Sequence, residues 1–297
     1  MYVIRDNELL VSQLAQYLNK VFIGEDYLIM NVSKEQNLCD HSVFFIEDES
    51  KQIVNCIAKA LLITTEQVYE SIRNRFDVSY IISPNPRLDF YKIVNEFFIA
   101  KKPNTISDSA NISKTAEIGY NVNIGENALI GNNVKIGNNT YILSNAVIES
   151  NCIIGSNCII KQGSLIGSDS FEFIDDDGIA LSIPQFGSVI IKNNVSIGAN
   201  TSIERPNFGE TIIGDNVKID DVVNIGQGSI IMQNTIISAG VVISTNVVIG
   251  ENCVVGINTS IRDDIEISSD VVIGMGSNVI HSIIEPGIYY GNPAKKH

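Results

Sequence analysis

The sequence predicts a small α/β domain followed by an all-β parallel β-helix built from hexapeptide repeats. Three observations predict this fold. Isoleucine or valine recurs at every sixth position from 106 to 166, at 191, 197 and 203, and from 213 to 279. Glycine often follows this residue, and a small residue often stands two positions before it. Residues 1–100 contain no such repeat.

A six-residue period excludes the regular helical patterns, because an α-helix needs a period near 3.6 and a coiled coil one near 3.5. Six residues suit one short strand and one corner, with the isoleucine pointing inward and Gly or Asn accepting the strained corner dihedrals. Three such faces form a triangular coil of 18 residues. The 26 repeat positions therefore predict nearly nine coils.

The chain divides into four parts on this basis. We assign residues 1–100 to the small α/β domain, 101–105 to a linker, 106–281 to the β-helix and 282–297 to a C-terminal tail. In the first domain, ELLVSQLAQYL predicts an amphipathic helix, and SVFFI, ALLIT and VSYIIS predict strands. SPNPRL is interpreted as a turn before a helix with the sequence DFYKIVNEFF.

Composition narrows the function classes. The net charge of −14 argues against nucleic acid and against anionic membrane surfaces as partners, since both require a basic footprint. The first residues contain no apolar signal segment, and no run of about 18 apolar residues occurs, so we expect a soluble, cytoplasmic protein. Five cysteines without CxxC spacing (Cys39, Cys56, Cys152, Cys158 and Cys253) predict reduced thiols and no metal site.

The two interruptions of the repeat predict the position of the functional site. Insertions near 168–187 and 205–210 follow Ile166 and Ile203, which are one coil apart if Ile191 is the next face. Gln227 occupies the same corner one coil later. Thr245 and the pair Asp263/Asp264 follow there on successive coils. We therefore expect the active site along this edge.

The longer insertion has the pattern of a β-hairpin, because FEFI and IALSI flank the turn sequence DDDG. It is either a surface hairpin or an arm over a ligand or a neighbouring subunit, and the shared edge favours the arm. The three aspartates suggest a metal site, but a solvated hairpin turn is the favoured interpretation.

Several stretches resemble the UDP-3-O-acylglucosamine N-acyltransferase family. They are GSDSFEF, IPQFGSVII, IGANTSIERPNFGETIIGDNVKIDD, GMGSNVI and EPGIYYG. The resemblance implies a left-handed β-helix and a homotrimer with sites in clefts between subunits. SVFFIEDES and NPRLDFYKI resemble that family's uridine-binding domain, which implies a base-stacking role for Phe44.

The departures from the family pattern concern its catalytic residues. The family's catalytic His falls on Gln227, in NIGQG, and a second His falls on Asp264. Glu47 and Ser50 replace the Asn and Tyr expected beside the stacking aromatic residue. Glutamine accepts no proton at neutral pH, so the family's general-base step does not apply.

The ending GNPAKKH is similar to that of coenzyme A-dependent hexapeptide transferases, and the helices that dock an acyl carrier protein are not found. This predicts acyl-CoA as a co-substrate, with no permanently bound cofactor. The residues assigned to the acyl donor are Asn292, Pro293, Ala294 and Lys295. A frayed basic tail is the alternative interpretation of the terminal lysines.

These observations predict an N-acyltransferase that acts on a dTDP- or UDP-linked amino-dideoxy sugar for surface polysaccharide, without a histidine base. Gln227 and Asn224 would orient the sugar, and the family position of the backbone N–H near Thr245 makes it the expected oxyanion donor. Asp169, Glu172 or Glu204 would hold the ammonium group or serve as a base, and Arg205 would meet a diphosphate. The expected substrate-binding set is Phe44, Asp169, Phe171, Glu172, Glu204, Arg205 and Asp264.

Alternatives remain at several positions. Gln227 is otherwise a solvated corner residue, Phe44 a core residue and Arg205 a loop-surface residue. A lipid A-type enzyme with an acyl carrier protein donor and a non-catalytic nucleotide-sugar-binding relative are the alternative functions. A γ-type carbonic anhydrase is rejected because His41, His281 and His297 lie outside the predicted edge. A nucleotidyltransferase is rejected because 100 residues cannot hold its nucleotide domain.

Overall fold

The computed structural model describes residues 8–33, 39–48, 59–73, 78–99 and 105–296. The chain divides into two compact units, residues 1–102 and 103–297. The first unit combines a five-stranded sheet with three short helices, and the second is a left-handed parallel β-helix. The predicted fold class is confirmed.

The sheet of the first unit has the order β2-β7-β6-β5-β4, with β4 to β7 parallel and β2 antiparallel to β7. β1 and β3 form a separate antiparallel pair. The strands are β1 (Leu9–Leu10), β2 (Phe22–Ile23), β3 (Leu28–Ile29), β4 (Asn31–Val32), β5 (Ser42–Ile46), β6 (Leu61–Thr64) and β7 (Ser79–Ile82). The three expected strands SVFFI, ALLIT and VSYIIS are present as β5, β6 and β7.

The helices of the first unit are α1 (Val11–Tyr17), α2 (Glu66–Ile72) and α3 (Pro86–Ile93), and α3 continues as a π-helical turn, Val94–Phe98. The stretch SPNPRL was expected to be a turn, but α3 begins within it. Asn85 caps this helix, since its Oδ1 accepts the backbone N–H of Leu88 at 3.0 Å. Pro86 fills the first helical position, where no hydrogen-bond donor is needed.

Both faces of the five-stranded sheet are covered. Phe44 packs with Val68 and Ile72 of α2 on one face, and Phe45 packs against Phe90 and Ile93 of α3 on the other. Parallel strands of this kind are buried on both sides.

The β-helix of the second unit has three parallel sheets, which we call the first, second and third sheet in the order in which the chain visits them. The first sheet contains β8 (Asn111–Ile112), β11 (Leu129–Ile130), β14 (Val147–Ile148), β17 (Leu165–Asp169), β22 (Ser202–Arg205), β25 (Asn224–Ile225), β28 (Val242–Ile243), β31 (Ser260–Ile261) and β34 (Asn278–Val279). Its nine strands agree with the expected number of coils.

The second sheet contains β9 (Glu117–Ile118), β12 (Lys135–Ile136), β15 (Ile153–Ile154), β20 (Ser188–Ile191), β23 (Glu210–Ile213), β26 (Ile230–Ile231), β29 (Val248–Ile249) and β32 (Glu266–Ile267). The third contains β10 (Asn123–Ile124), β13 (Tyr141–Ile142), β16 (Ile159–Ile160), β21 (Ser196–Ile197), β24 (Lys218–Ile219), β27 (Ile236–Ile237), β30 (Val254–Val255), β33 (Val271–Ile273), β35 (Gly287–Tyr290) and β36 (Lys295–Lys296). β36 alone runs antiparallel within this sheet.

The repeat residues form the core that the period predicts. Ile148, Ile166 and Ile203 are fully buried and stack in register on neighbouring coils. The small residues at the corners are buried too, and where they are polar they bond to the backbone. Thr140 Oγ1 donates to the carbonyl of Gly155 at 2.8 Å, and Thr235 Oγ1 to that of Gly250 at 2.8 Å.

Asparagine fills many corner positions because its backbone adopts the left-handed region with little penalty. Asn133 and Asn151 have φ of 56° and 65° and lie on neighbouring coils. Asn133 Nδ2 donates to Asn151 Oδ1 at 3.2 Å, so the side chains form a ladder along the corner. Ladders of this kind link coil to coil without contributing to the apolar core.

Candidate active site

Both insertions leave the β-helix at one edge, between the first and the second sheet, which we call the loop corner. β17 ends at Asp169 before residues 170–187, and β22 ends at Arg205 before residues 206–209. Ile166 pairs with Ile203, and Ile203 pairs with Ile225, so the two insertions and Gln227 follow strands in register. This agrees with the phase that the repeat count predicts.

A β-bulge sends the longer insertion outward. The register of β17 and β22 shifts between Ile166 and Ser168. Gly167 stands at the shift with φ of +87°, and a Cβ there would lie 2.6 Å from the sulfur of Cys152. A glycine meets both requirements, since it accepts the left-handed region and leaves room for the neighbour.

The longer insertion contains the expected hairpin, with β18 (Phe173–Asp176) antiparallel to β19 (Ile179–Ser182). Asp177 and Gly178 form the turn with φ of 52° and 84°, as in the hairpin turns that favour Asp-Gly. Asp175 Oδ1 accepts the N–H of Gly178 at 3.1 Å, so this aspartate stabilises the turn. Phe171 is 89% exposed and contacts the ring edge of Phe173, with centroids 4.8 Å apart.

The two insertions contact each other where they rejoin the β-helix. The rings of Phe186 and Phe208 stack with centroids 5.8 Å apart. The N–H of Phe186 donates to the carbonyl of Asn207 at 2.9 Å, and the N–H of Gly187 to that of Pro206 at 3.0 Å. Residue 187 must be glycine at this distance, because a Cβ would lie 2.5 Å from the Pro206 oxygen.

Gln227 lies beneath the longer insertion and is 9% exposed. Its Nε2 donates to Glu172 Oε2 at 3.1 Å. Gln185, 8% exposed, directs its Nε2 at the same oxygen at 3.5 Å and donates to the carbonyl of Ile183 at 2.9 Å. Gln227 is therefore not a solvated corner residue. The Oε1 atoms of Gln227 and Gln185 and the hydroxyl of Ser170 are buried without a hydrogen-bond partner.

Among the carboxylates at the loop corner, Glu204 has a pKa that departs clearly from its ordinary value. Burial raises the pKa of its carboxyl group, although hydrogen bonds from the Gln227 backbone and the Asn224 side chain favour the ionised form. The Glu204 carbonyl accepts from Thr211 Oγ1 at 2.7 Å, and Thr211 Oγ1 accepts the N–H of Gly228 at 2.9 Å. Thr211 thus holds the Glu204 backbone, and the Gln227 backbone and the Asn224 side chain bond to the Glu204 carboxylate.

Asp169 and Arg205 form an ion pair where both insertions begin. Arg205 Nη2 lies 2.6 Å from Asp169 Oδ1. A diphosphate that bound to Arg205 would have to compete with the Asp169 carboxylate. An ammonium group that bound to Asp169 would in the same way have to compete with Arg205.

Thr245 and Asp264 lie further along the loop corner. The Thr245 carbonyl accepts the N–H of Asp264 at 3.0 Å, and the Gln227 carbonyl accepts the N–H of Asn246 at 2.9 Å. Asp264 has φ of 56° and its Oδ1 accepts from Asn246 Nδ2 at 3.0 Å. Asp264 therefore belongs to a corner ladder, a structural role that its sequence position did not reveal.

The tail folds against the last coil. The N–H of Ala294 donates to the carbonyl of Asn278 at 2.8 Å, and Lys296 Nζ lies 2.6 Å from Glu285 Oε2. Lys295 is in β36, which pairs with β35. The expected donor residues Asn292, Pro293, Ala294 and Lys295 thus lie on a coil three coils beyond Gln227, and the structure does not bring them together with Gln227 and Glu172.

Phe44 is 2% exposed and lies in the core of the first unit, so a base cannot stack on it in this structure. The expected stacking role is corrected, because α2 covers the face of the sheet that Phe44 occupies. Glu47 Oε1 accepts the backbone N–H of Arg87 at 3.2 Å. Ser50 and the other residues of 49–58 lie outside the described residues.

Two classes of site are not found in the described part of the chain. Its His, Cys, Asp and Glu residues contain no group of three or more placed to hold a metal ion. Its helices include none that is long and apolar enough to cross a membrane.

Comparisons with known proteins agree with the fold. Residues 133–168 match the bacterial transferase hexapeptide family (six repeats). The UDP-3-O-acylglucosamine N-acyltransferase of Shewanella denitrificans is 43% identical over 127 residues, which are 43% of this chain and 37% of that protein. The enzyme of that name from Prochlorococcus marinus is 50% identical over 64 residues, 22% of this chain and 19% of that protein.

The chain is similar to these N-acyltransferases in its hexapeptide-repeat region. The regions that match span less than two fifths of the length of those two relatives. Among solved structures, a UDP-N-acetylglucosamine acyltransferase from Campylobacter jejuni superposes with a TM-score of 0.59 at 25% identity, over 65% of this chain and 74% of that one. The corresponding Bacteroides fragilis protein has a TM-score of 0.58 at 24% identity, over 65% and 74%, and shows the fold alone.

The structure of this hexapeptide-repeat protein also brings in residues that the sequence analysis did not select. Gln185 joins Glu172 and Gln227 beneath the hairpin, and Ser170, at the start of the same insertion, has a buried hydroxyl. Gln185 stands in the family-like stretch IPQFG, which is the one signal that would have selected it. Counting along the repeat cannot place Gln185 at the loop corner, because this residue lies in an insertion.

Proposed function

We propose that this protein is an N-acyltransferase that moves an acyl group from acyl-CoA to the amine of a dTDP- or UDP-linked amino sugar used for surface polysaccharide. The observation that carries the proposal is the set of acceptor groups at the loop corner. The half-buried Glu204 carboxylate and the buried, unpaired Gln227 Oε1 lie at this corner, and both are groups that can accept a hydrogen bond from an N–H donor of a ligand.

The reaction requires little proton chemistry from the protein. The lone pair of an unprotonated sugar amine attacks the thioester carbonyl carbon, the C–N bond forms, and the carbonyl oxygen becomes an oxyanion. Collapse of this intermediate breaks the C–S bond, and the departing thiolate takes a proton from nitrogen to give the amide and free CoA. The protein must supply orientation and oxyanion stabilisation.

Named residues of this chain supply these requirements in the proposal. Gln227 and Asn224 orient the sugar, and Glu204 accepts an N–H of its amine. Because burial raises the pKa of Glu204, its carboxylate is a better transient proton acceptor than an exposed one. The backbone N–H near Thr245 is assigned to the oxyanion, Asp264 to the outer end of the site and Phe171 to the substrate-facing side of the arm.

We further propose a cytoplasmic homotrimer with a site between neighbouring subunits. Apolar side chains at the non-core positions of the second sheet support this arrangement. Ile153, Ile190, Ile212, Ile230 and Val248 are paired in order across five coils, next to the loop corner. Light scattering on the intact protein tests the trimer, and Ile212→Glu is expected to dissociate it.

An acyl-transfer screen by mass spectrometry tests the activity. Acetyl-, 3-hydroxybutyryl- and longer acyl-CoA are combined with UDP- and dTDP-linked amino sugars, and acyl carrier protein thioesters form a parallel set. We expect one N-acylated product from a CoA donor. A product only from a carrier-protein donor and a UDP-linked 3-O-acylglucosamine would indicate the lipid A-type activity. No product from any pair would favour a non-catalytic nucleotide-sugar-binding protein.

A further inference from the structure

Glu172 joins the hairpin arm to the β-helix. It precedes β18, and its Oε2 accepts from Gln227 Nε2 at 3.1 Å across 55 residues of sequence. Gln185, which follows β19, directs its Nε2 at the same oxygen at 3.5 Å. The backbone holds Glu172 in place, since the N–H of Ile183 donates to its carbonyl at 3.1 Å.

This contact determines which way the Gln227 amide points. An ionised carboxylate only accepts hydrogen bonds, so the amide must turn its NH2 group toward Glu172. Its carbonyl oxygen then points to the other side of the side chain, where Gln227 Oε1 is buried and without a hydrogen-bond partner. Burying an unpaired polar atom is unfavourable, so an acceptor left free at this position is suited to a ligand that donates to it.

We propose that Glu172 is a positioning residue that holds the Gln227 amide with Oε1 toward the amine of the acceptor sugar. This inference rests on the proposed function. An unprotonated primary amine offers N–H donors and one lone pair. When Gln227 Oε1 accepts an N–H, the lone pair remains free to attack the thioester carbon.

The opposite orientation of Gln227 would be unproductive. A Gln227 NH2 group turned toward the substrate would donate to the amine's lone pair and occupy the electrons that form the C–N bond. Glu172 prevents this orientation because a carboxylate has no hydrogen to donate to Gln227 Oε1. The Glu172–Gln227 hydrogen bond orients the amide and transfers no proton, which suits a site where glutamine stands in place of a histidine base.

The variant Glu172→Gln tests the proposal, because it keeps the size of the side chain and lets residue 172 both donate and accept. Both orientations of Gln227 then become populated. With the donor and sugar found by the screen, we expect kcat to fall about tenfold, the equivalent of one lost charge-assisted hydrogen bond, while KM changes less than about twofold. Asp176→Asn, which removes a charge from an exposed residue of the same hairpin, is the matched control and should retain full kcat.

A second measurement does not depend on activity. In protein labelled with 15N at glutamine side chains, the Gln227 NH2 signal is assigned by its loss in Gln227→Ala. We expect a downfield proton in the native protein that moves upfield in Glu172→Gln and stays in place in Asp176→Asn. An unmoved signal in Glu172→Gln would overturn the inference, as would full kcat in that variant. Absence of any acyl transfer by the native protein would instead refute the proposed function, which separates the two failures.

Discussion

Arg205 donates a hydrogen bond from Nε to Asp169 Oδ1 at 2.8 Å, and its Nη2 lies 2.6 Å from the same oxygen in an ion pair. The Arg205 side chain is 17% exposed and that of Asp169 is 64% exposed. Because Asp169 and Arg205 are the last residues of β17 and β22, the pair ties together the starting points of both insertions. The position of the arm over Gln227 depends on those starting points.

We predict that Asp169→Asn lowers the free energy of unfolding by about 1 kcal/mol or less, because one partner is largely solvated. Asp169→Asn combined with Arg205→Gln should cost less than the two single changes added together, which thermal unfolding of the three variants measures. Asp263→Asn is the matched control, since Asp263 lies 3.8 Å from Arg262 and both side chains are more than half exposed. Strict additivity would show that the Asp169–Arg205 pair is not formed in solution.

The half-buried carboxylate of Glu204 predicts a pH-dependent stability. Burial raises its pKa above the unfolded value, so the folded protein binds this proton more tightly than the unfolded chain does. Ionising Glu204 therefore costs folding free energy above the raised pKa, and this cost is absent below the ordinary glutamate value near 4.3. We expect Glu204→Gln to raise Tm relative to the native protein at pH 7 and to lose this advantage at acid pH.

Melting curves across this pH range, with Glu210→Gln as the control for removal of an exposed carboxylate, test the prediction about Glu204. An advantage of Glu204→Gln that grew as the pH fell would have the wrong sign and would contradict it. The same variant should lower kcat if Glu204 accepts an N–H of the substrate, so stability and activity should move in opposite directions at pH 7.

Val222 is an exposed β-branched residue in the left-handed region, with φ of 60°. The same corner carries Asn200 on the coil before and Gly240 on the coil after, with φ of 54° and 69°. A β-branched side chain is disfavoured there by about 1–3 kcal/mol. We predict that Val222→Asn stabilises the protein by about 1 kcal/mol.

Differential scanning calorimetry should therefore show a rise of about 2–4 °C in the Tm of Val222→Asn. Val242→Asn makes the same change on a regular strand, where the side chain is 48% exposed, and should give no gain. Equal shifts in both variants would assign the effect to polarity and not to the backbone conformation of Val222.

The buried thiols predict selective chemical reactivity. Burial raises the pKa of Cys152 to about 11 and also raises the pKa values of Cys158 and Cys253. About one molecule in a thousand would carry the Cys152 thiolate at pH 8, and the thiolate is the reactive form. We expect iodoacetamide to label the exposed Cys39 in the native protein and these three only after unfolding in urea.

Peptide mass spectrometry locates the label. Native labelling of Cys152, Cys158 or Cys253 at the rate of Cys39 would contradict their burial. Cys56 lies outside the described residues, so its label is used only in the unfolded sample, where all five cysteines should react.

The amino-acid sequence by itself determined the β-helix and the edge from which both insertions leave it. The strands of neighbouring coils pair in register. An inward isoleucine at every sixth position therefore determines which residues point inward, which point outward and which lie at each corner. The places of Ile166, Ile203 and Gln227 at one corner follow from counting. The hairpin turn at Asp177 and Gly178 is equally local, because adjacent residues encode it.

The tertiary structure alone decided which side chains meet. Residues 170–187 follow no repeat, so no count predicts that Glu172 reaches Gln227 or that Gln185 joins them. The alternation in SVFFI separates Phe44 from Phe45, but the face that stays accessible depends on the helices that cover the sheet, and α2 and α3 cover both. Contacts of this kind depend on the path of distant segments through space, which a local pattern does not encode.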